Sequence, residues 1–291
     1  MPTTLSPLRY PGGKTQLYKF VKHTIENNEL TNIIYCEPFC GGSGIAMSLL
    51  LSHDVDAVIL NDFDIAIYSV WYAILNETAK LTKQIRETSI TMDEWHRQQQ
   101  VYMDAQINNL QEYNFNLAFA TLFLNRTNRS GIVTGGPIGG YDQDSKYSLD
   151  CRFNKNVLIS KIEDIAKMKD SIRLYHLDAK DLINQVLMQE DRRNLFVYFD
   201  PPYYKEGQHL YKNFFDDAAH VQLAEAIQEM DEYKWITTYD NEDRIKKIYK
   251  DYEIHEYRIQ YSANKTRKEI ELLFHSPVTK INSYDKVKFS K

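Results

Sequence analysis

The chain has 291 residues, of which 43% are hydrophobic and 26% are charged. This length is enough for one large α/β domain with an insertion or for two modest domains, and the composition excludes a disordered polypeptide. Its three cysteines form no CxxC pair, which argues against a disulfide framework and against a metal site. The formal net charge of −5 does not favour a nucleic-acid partner, although a local basic face could bind one. Without a signal pattern or a membrane-length apolar run, we expect a cytoplasmic protein.

The first motif is a glycine-lysine turn over residues 8–14, just before an amphipathic stretch. Apolar residues recur at helical spacing across residues 15–29, which predicts a helix. Gly-Gly-Lys before a helix is typical of an anion site, but the complete phosphate-binding loop pattern is missing. An ordinary turn and a ligand-binding turn both remain open.

A strand, a glycine-rich turn and a helix come next, which is the usual opening of a doubly wound sheet with a nucleotide cofactor. These three segments are residues 33–39, 40–44 and 45–51. The following strand, residues 57–60, ends at Asn61 and Asp62. An acid at this position commonly binds ribose hydroxyls, and Asp62 could also cap the helix that follows over residues 65–76.

The acid at the end of the first strand helps to choose between cofactors. Glu37 would bring negative charge close to a pyrophosphate, and the third glycine of a dinucleotide motif is missing after Gly42 and Gly44. A cationic cofactor without phosphates tolerates Glu37 better. The sequence therefore favours S-adenosylmethionine, which has a sulfonium and an α-amino group.

A helix-rich block then interrupts the alternation of strands and helices, and we interpret residues 64–154 as an inserted module. The block ends in a loop with five glycines between positions 131 and 140. Such a loop, with basic and aromatic neighbours, suits contacts to phosphates and base edges, and a mobile solvated loop is an equal alternative. The basic residues around it are Arg126, Arg129, Lys146, Arg152 and Lys155.

Strand and helix patterns alternate again after residue 154. We predict helices over residues 157–169, 218–230 and 242–250, and strands over residues 172–177, 195–199, 234–239, 254–261 and 270–274. The last two strands form an antiparallel hairpin with a basic tip. Asp178, after the strand at 172–177, could cap the next helix or bond a ligand amine.

The strand at residues 195–199 runs directly into Asp200, Pro201, Pro202, Tyr203 and Tyr204. Two prolines cannot donate to a sheet ladder, so the strand must end there, at the edge where open α/β sheets bind ligands. A carboxylate and a rigidly held carbonyl place two acceptors side by side, next to an aromatic face. This arrangement suits a base with an amino group, such as adenine, whereas Asp-Pro alone would indicate an ordinary turn.

Together these motifs resemble the Dam-type (D12 class, alpha group) DNA adenine-N6 methyltransferases, over nearly the whole chain and in the family's order. The matching segments are residues 10–14, 37–44, 61–62, 124–126, 152–154, 200–203, 266–268 and 271–273. The resemblance implies a seven-stranded S-adenosylmethionine-dependent methyltransferase sheet, Rossmann-like, with a C-terminal antiparallel hairpin. It also implies a catalytic domain over residues 1–63 and 155–291 and a helical target-recognition insert over residues 64–154.

The resemblance also implies three sets of site residues and no metal. The implied catalytic residues are Asp200, Pro201, Pro202 and Tyr203. The implied cofactor-binding residues are Tyr10, Gly13, Lys14, Glu37, Phe39, Gly41, Gly42, Ser43, Gly44, Asp62, Asp178, Ala179 and Asp200. The implied DNA-binding residues are Asn125, Arg126, Asn128, Arg129, Arg152, Asn154, Lys265, Arg267 and Lys268.

The activity implied is site-specific methylation of a flipped-out adenine in double-stranded DNA, by a monomer or weak dimer in a prokaryotic or phage-infected cell. A cognate restriction or defence nuclease is a compatible partner. The sequence after Asn125 and Arg126 departs from that of members that recognise GATC, so the recognition site does not carry over. Adenine methylation in RNA, and a catalytically silent DNA-binding regulator, are the alternative functions.

Overall fold

The computed structural model describes residues 4–9, 14–205, 215–261 and 267–290, which form a seven-stranded sheet of order β3-β2-β1-β4-β5-β7-β6. The strands are β1 Ile34–Glu37, β2 Ala57–Asn61, β3 Ile172–Tyr175, β4 Leu195–Phe199, β5 Lys234–Asp240, β6 His255–Tyr261 and β7 Arg267–His275. Strands β1 to β5 are parallel, and β7 is antiparallel to both of its neighbours, β5 and β6. The predicted seven-stranded sheet and C-terminal antiparallel hairpin are confirmed.

Helices cover both faces of this sheet. Their bounds are α1 Tyr18–Glu26, α2 Gly44–Leu51, α3 Ile65–Asn76, α4 Thr78–Glu87, α5 Met92–Ile107, α6 Phe115–Thr127, α7 Lys155–Lys167, α8 Ala179–Gln185, α9 Asp217–Gln228 and α10 Asp243–Ile248. Within the described ranges, none of these helices is long and apolar enough to cross a membrane.

The central strand β4 contributes side chains to the helical layers on both faces of the sheet. Its residues alternate between faces: Phe196 and Tyr198 pack with the helices α1 to α7, whereas Val197 and Phe199 pack with α8, α9 and α10. Every residue of β4 is buried, which explains its continuous apolar sequence. The molecule is therefore a three-layer α/β structure.

The long connection from β2 to β3 contains the helices predicted as an insert. Helix α3 packs against α6, α7 and β3, and α5 packs against α6. Their apolar side chains join the same hydrophobic cluster as the sheet, so this connection does not form a separate core. The predicted boundaries at residues 64 and 154 remain a prediction.

The strand order reverses direction between β1 and β4. Such a switch point is where open α/β sheets bind ligands. Strand β7, running the other way, pairs Glu271 with Asp240 at the end of β5. Strand β7 also begins three residues earlier than predicted, so Arg267 and Lys268 lie in the strand and not in a loop at the hairpin tip.

Candidate functional site

Acidic side chains meet at the carboxyl edge of the parallel strands. Glu37 ends β1, Asp62 follows β2, Asp200 follows β4 and Asp240 ends β5. All of these strands are neighbours or near neighbours in the sheet, so their ends face one crevice. The sequence predicted the first three as site residues, and the structure brings them to this edge.

The carboxylate of Asp200 is oriented by a short chain of hydroxyl groups. Thr238 on β5 donates a hydrogen bond of 2.9 Å to Asp200 Oδ1, and the Tyr198 hydroxyl lies 2.9 Å from the Thr238 hydroxyl. The Asp200 side chain is 27% exposed, so part of it remains open to a ligand. Burial raises the pKa of Asp200 to about 6, and Lys14 acts in the opposite direction. At neutral pH it is therefore an ionised, oriented acceptor.

Lys14 connects Asp200 to a second acid, Glu271, which sequence reasoning did not assign to the site. The Lys14 ammonium lies 3.6 Å from Asp200 Oδ1 and 2.9 Å from Glu271 Oε1. Glu271, 1% exposed, also accepts hydrogen bonds from the hydroxyls of Tyr203 and Tyr257. Lys14 was predicted to hold the cofactor, which stays a prediction; the structure directs its ammonium at Asp200 and Glu271.

One signal in the sequence could have identified Glu271. It is the acid within an otherwise apolar run from residue 270 to residue 274, where β7 is buried. A buried carboxylate without partners would be costly, so its presence in such a run predicts buried partners of opposite charge or with hydroxyl donors.

Asp240 holds the backbone that follows the two prolines. Its two carboxylate oxygens accept hydrogen bonds of 2.9 Å each from the backbone N–H groups of Tyr204 and Lys205. These bonds set the path of the chain just after Tyr203. Sequence analysis did not assign Asp240 to the site, because its partners lie more than 30 residues away.

The glycine-rich turn between β1 and α2 is tightly packed. Gly41 and Ser43 both adopt positive φ, 43° and 44°. A Cβ atom on Gly44 would lie 2.1 Å from Thr15 Oγ1, so any side chain there would displace the Thr15 hydroxyl where this turn meets the N-terminal turn. Two separate sequence motifs therefore lie against each other, as a shared ligand site requires.

Glu37 lies beneath that turn with a buried carboxylate. Its Oε1 accepts hydrogen bonds from the Tyr35 hydroxyl at 3.0 Å and from the Ala46 N–H, in the first turn of α2, at 3.1 Å. Burial nonetheless raises the pKa of Glu37 to about 8. Among the described residues no lysine or arginine pairs with it. A ligand with positive charge would fit this environment.

Asp62 and Asp178 were each expected either to cap the helix that follows or to bind a ligand. Asp64, not Asp62, caps α3, by accepting from the Ala66 N–H at 2.8 Å, because it lies immediately before the helix. The Asp62 oxygens instead accept from Gly41 N–H at 2.8 Å and Asp64 N–H at 3.0 Å, and burial raises its pKa to about 7. Asp178 does cap α8, through the Lys180 N–H at 2.9 Å.

The other predicted site residues have varied environments. Phe39 contacts Phe215 edge to face, with ring centroids 6.1 Å apart. Gly42, Ala179 and Pro201 are buried, and Pro202 and Tyr203 are half-buried. Phe63, which sequence reasoning missed, is 54% exposed beside Asp62 and offers an aromatic face there. Tyr10 and Gly13 lie outside the described residues.

The glycine-rich loop after α6 is held by internal hydrogen bonds. Asn128 accepts from Trp95 Nε1 at 2.6 Å and donates to the carbonyls of Ile132 and Val133. Gln143 donates to the carbonyls of Ile138 and Gly140, at 2.8 and 2.6 Å. These bonds give the loop a defined shape, in contrast to the mobile-loop alternative.

Two asparagines predicted to contact DNA have structural contacts instead. Asn125 is 1% exposed, and its amide bonds the Arg9 backbone and the Gly131 carbonyl. Asn128 is fully buried, with both ends of its amide occupied as described above. We therefore remove both from the proposed DNA surface. Asn154, exposed, caps α7 through the Val157 N–H at 3.1 Å.

Three arginines cluster beside this loop without an acidic partner among the described residues. Burial lowers the pKa of Arg126 to about 10, and the charges of Arg9 and Arg152 lower it further. Burial and Arg152 likewise lower the pKa of Arg9. The Arg126 Nε is buried and unpartnered in the described part of the chain. An anion would relieve the mutual repulsion of these cations, and sequence reasoning had missed Arg9.

The remaining predicted DNA contacts are only partly described. Arg129 and Arg152 are exposed at the rim of the loop. Arg267 and Lys268 begin β7, and the structure describes their backbone alone. Lys265 lies outside the described residues.

A model of the D12 class N6 adenine-specific DNA methyltransferase family matches residues 10–263 of the chain. No curated protein matches the sequence. The fold is similar to that of a Pyrococcus horikoshii protein named as an RNA methyltransferase, with a TM-score of 0.39 and 10% identity over 92% of this chain and 83% of that one. It is also similar to the rRNA methyltransferase AviRa of Streptomyces viridochromogenes, with a TM-score of 0.39 and 12% identity over 93% of this chain and 88% of that one. Likenesses this distant carry no argument about substrate.

Proposed function

Because the chain belongs to the family of D12 class N6 adenine-specific DNA methyltransferases, we propose that this methyltransferase modifies the N6 amino group of adenine at specific sites in double-stranded DNA. The observation that supports the proposal best is the oriented, partly open carboxylate of Asp200 at the switch point of the sheet. An amino group on a planar base has two N–H donors to offer such an acceptor.

The family implies S-adenosylmethionine as the methyl donor, and the acidic edge suits this ligand. Glu37 is a buried acid with a raised pKa and, in the described ranges, no cationic partner, so a ligand with positive charge would compensate it. Asp62 lies where ribose hydroxyls are commonly bound, and Phe63 offers an adjacent aromatic face. When bound, this cofactor supplies an electrophilic methyl group on a sulfonium.

In the proposed reaction, Asp200 and Pro201 act on the amino nitrogen itself. The N6 lone pair of adenine is delocalised into the ring, which makes the nitrogen a poor nucleophile. Two acceptors, the Asp200 carboxylate and the Pro201 carbonyl, would draw its N–H bonds out of the ring plane and localise the lone pair. The same acceptors stabilise the positive charge that develops on nitrogen.

The charges around Asp200 favour this step. Lys14 is shared between Asp200 and Glu271, so the three groups together have one positive and two negative charges, a sum of −1. Without Glu271, the lysine would neutralise Asp200 and leave no net charge to stabilise the transition state. Glu271 is thus a positioning residue: it holds Lys14 and Tyr203 and offsets the lysine charge.

The base must leave the duplex to reach this crevice, at a cost of a few kcal/mol. Tyr203 is tethered through its hydroxyl to Glu271 and Lys14, so its ring has a set orientation before a base arrives. Stacking on such a ring would offset part of the unstacking cost. The cluster of Arg9, Arg126 and Arg152, which has no acidic partner among the described residues, supports a binding site for DNA phosphates beside the loop after α6.

The experiment is to incubate the purified protein with S-adenosylmethionine and unmethylated DNA and to quantify N6-methyladenine by mass spectrometry. Asp200→Asn should lower the rate by about 10²–10³, the usual cost of one oriented transition-state contact. Asp251→Asn, an exposed aspartate after α10, is the matched control and should retain the wild-type rate. Sequencing DNA from cells that express the protein would then give the recognition site.

Structured and single-stranded RNA are parallel substrates in the same assay. Methylation of RNA at a higher rate than of any DNA would replace the proposed substrate. Binding of DNA without any methyl transfer would support the silent regulator. An Asp200→Asn variant within a few-fold of wild type would remove Asp200 from the reaction.

A further inference from the structure

Two histidines and a glutamate converge at the opposite end of the sheet from Asp200. The Nε2 atoms of His255 on β6 and His275 on β7 lie 3.3 Å apart, and Glu253 Oε1 lies 3.6 Å from His255 Nε2. The three ligand atoms all lie within 4.8 Å of one another. The two histidines are 20 residues apart in the chain and lie on the two paired strands of the C-terminal hairpin.

The hydrogen bonding of His275 leaves its Nε2 without a proton. Its Nδ1 lies 2.9 Å from the Ser276 carbonyl, which can only accept, so the ring proton is on Nδ1. Metal-binding histidines typically donate their other ring N–H to a backbone carbonyl in this way. The lone pair of His275 Nε2 is therefore directed at His255.

The imidazole of His255 is held in a fixed position and is still reachable from solvent. Phe289 stacks on its ring, with centroids 4.4 Å apart, and holds the imidazole in place. The His255 side chain is 15% exposed and Glu253 is 71% exposed, so an ion could enter from solvent.

The distance between the two histidine nitrogens suits a shared ion as well as a direct hydrogen bond. At 3.3 Å it is within hydrogen-bond reach, at the long end of the range. Two ligands about 2.0–2.1 Å from a tetrahedral zinc ion are about 3.3–3.4 Å from each other. The separation between the two nitrogens thus matches that of ligands to one ion, and the carboxylate at 3.6 Å is close to it.

We propose that Glu253, His255 and His275 bind one divalent transition-metal ion, of the zinc, nickel or copper class. Imidazole ligands select these ions over magnesium and calcium, which prefer oxygen. A water molecule would complete a tetrahedral site on the exposed side. The earlier expectation of no metal rested on the cysteines and on the implied reaction, and it missed this set because its members are close only after the hairpin folds.

The position of the site indicates a structural role. His275 pairs with Ile236 near the start of β5, while Glu271 pairs with Asp240 at its end. Four residues of strand separate the two, about 13 Å. The ion would join the start of the edge strand β6 to the end of β7, far from the acceptors that surround Asp200.

The test is calorimetric titration of the untagged, metal-free protein with zinc chloride. We expect one equivalent to bind, magnesium chloride to give no heat, and zinc at about 100 times its Kd to raise the unfolding temperature by on the order of 5 °C. His255→Gln and His275→Gln should each weaken zinc binding at least tenfold. His53→Gln, an exposed histidine outside the cluster, is the control and should bind as wild type does.

Glu253→Gln keeps the test informative if a histidine variant does not fold. Glu253 is on the surface, so its replacement should not affect folding. It should weaken zinc binding while leaving the metal-free unfolding temperature unchanged. No zinc binding, or binding that all three cluster variants retain, would overturn the proposal. None of these readouts depends on methyl transfer, so they are independent of the proposed function.

Discussion

At the scale of single residues, the arrangement around Lys14 sets the charge of the site. The lysine reaches Asp200 from the N-terminal turn, and Glu271 reaches the lysine from β7, 257 positions along the chain. Each acid alone would form an ordinary ion pair with the lysine. Together they leave Asp200 only partly neutralised, which suits an acceptor for a nitrogen that becomes positive.

This arrangement makes Glu271→Gln informative. The variant removes a negative charge that raises the pKa of Asp200, so that pKa should fall. If Asp200 acts as proposed, kcat/KM of the wild type should rise with pH as Asp200 ionises near pH 6, and this acid limb should move to lower pH in the variant. The turnover number should drop roughly tenfold or more, because the net charge that stabilises the transition state is lost.

Tyr257→Phe is the matched control for that experiment. It removes a hydrogen bond to Glu271 Oε2 but keeps the charge of Glu271. The acid limb should therefore stay where it is. If Glu271→Gln lowered the rate without moving the limb, its role would be to hold the fold alone.

The site residues that could be predicted from sequence are those at the ends of strands. Glu37, Asp62 and Asp200 each follow a short apolar run, and parallel strands bring such ends together. Glu271, Arg9 and the structural roles of Asn125 and Asn128 could not be predicted this way. Each has at least one partner that lies 33 to 257 positions away, and those contacts depend on how a reversed strand and a loop pack.

At the scale of elements, helix α2 depends on a carboxylate beneath its first turn. Glu37 accepts the Ala46 N–H, and the N-terminus of a helix favours negative charge. Burial opposes that charge and prevails, since the pKa is raised to about 8. Ionising Glu37 in the folded, ligand-free protein is therefore costly.

A raised pKa makes this cost visible as a pH dependence. Between the ordinary pKa of 4.5 and about 8, the folded protein holds a proton on Glu37 that the unfolded chain has lost. The unfolding free energy of the ligand-free protein should therefore fall as pH rises through this window, by about 1.4 kcal/mol for each unit of the pKa shift. Glu37→Gln, which resembles the protonated acid, should remove that part of the slope.

Glu87→Gln, at the exposed end of α4, should keep the wild-type slope and serves as the control. Chemical denaturation at pH 5, 6, 7 and 8 gives the comparison. Asp62 and Asp200, whose pKa values are raised to about 7 and about 6, should contribute to the slope that remains in Glu37→Gln. Equal slopes in all three proteins would show that Glu37 does not hold its proton in the folded state.

The order and type of the elements could be predicted because each has a strong pattern, as in α3 and β4, whose bounds are those expected. Element ends were harder. Strand β7 begins at Arg267 because pairing with β6 extends it, and nothing in the local sequence of basic residues marks that pairing. The path of β7 between β5 and β6 also depends on tertiary pairing alone.

At the scale of the whole molecule, the charge is unevenly distributed. The net charge of −5 includes the acids at the carboxyl edge, whereas Arg9, Arg126 and Arg152 lie together beside the loop after α6. A protein binds nucleic acid through the positive potential of one local surface, so a negative net charge does not exclude such binding. The three arginines of this cluster have no acidic partner among the described residues.

Salt dependence separates the two kinds of contact that this face could make. Arg152→Ala should remove a phosphate contact, weaken binding to all duplexes alike and reduce the log–log salt slope by about 0.9. Arg129→Ala should instead lose about 1–3 kcal/mol of discrimination at one base pair, if its exposed guanidinium reads a guanine edge. Binding is measured on cognate and scrambled duplexes at several salt concentrations.

Arg192→Ala is the control for both variants, since Arg192 is 58% exposed and pairs with Glu232 away from the loop. A surface ion pair of this kind contributes little to stability, so this variant should fold normally and keep the wild-type slope. If Arg152→Ala matched Arg192→Ala, the cluster would not bind the DNA backbone. If Arg129→Ala and Arg152→Ala caused the same uniform loss, the loop would bind phosphates only, and base recognition would lie elsewhere in the helical insert.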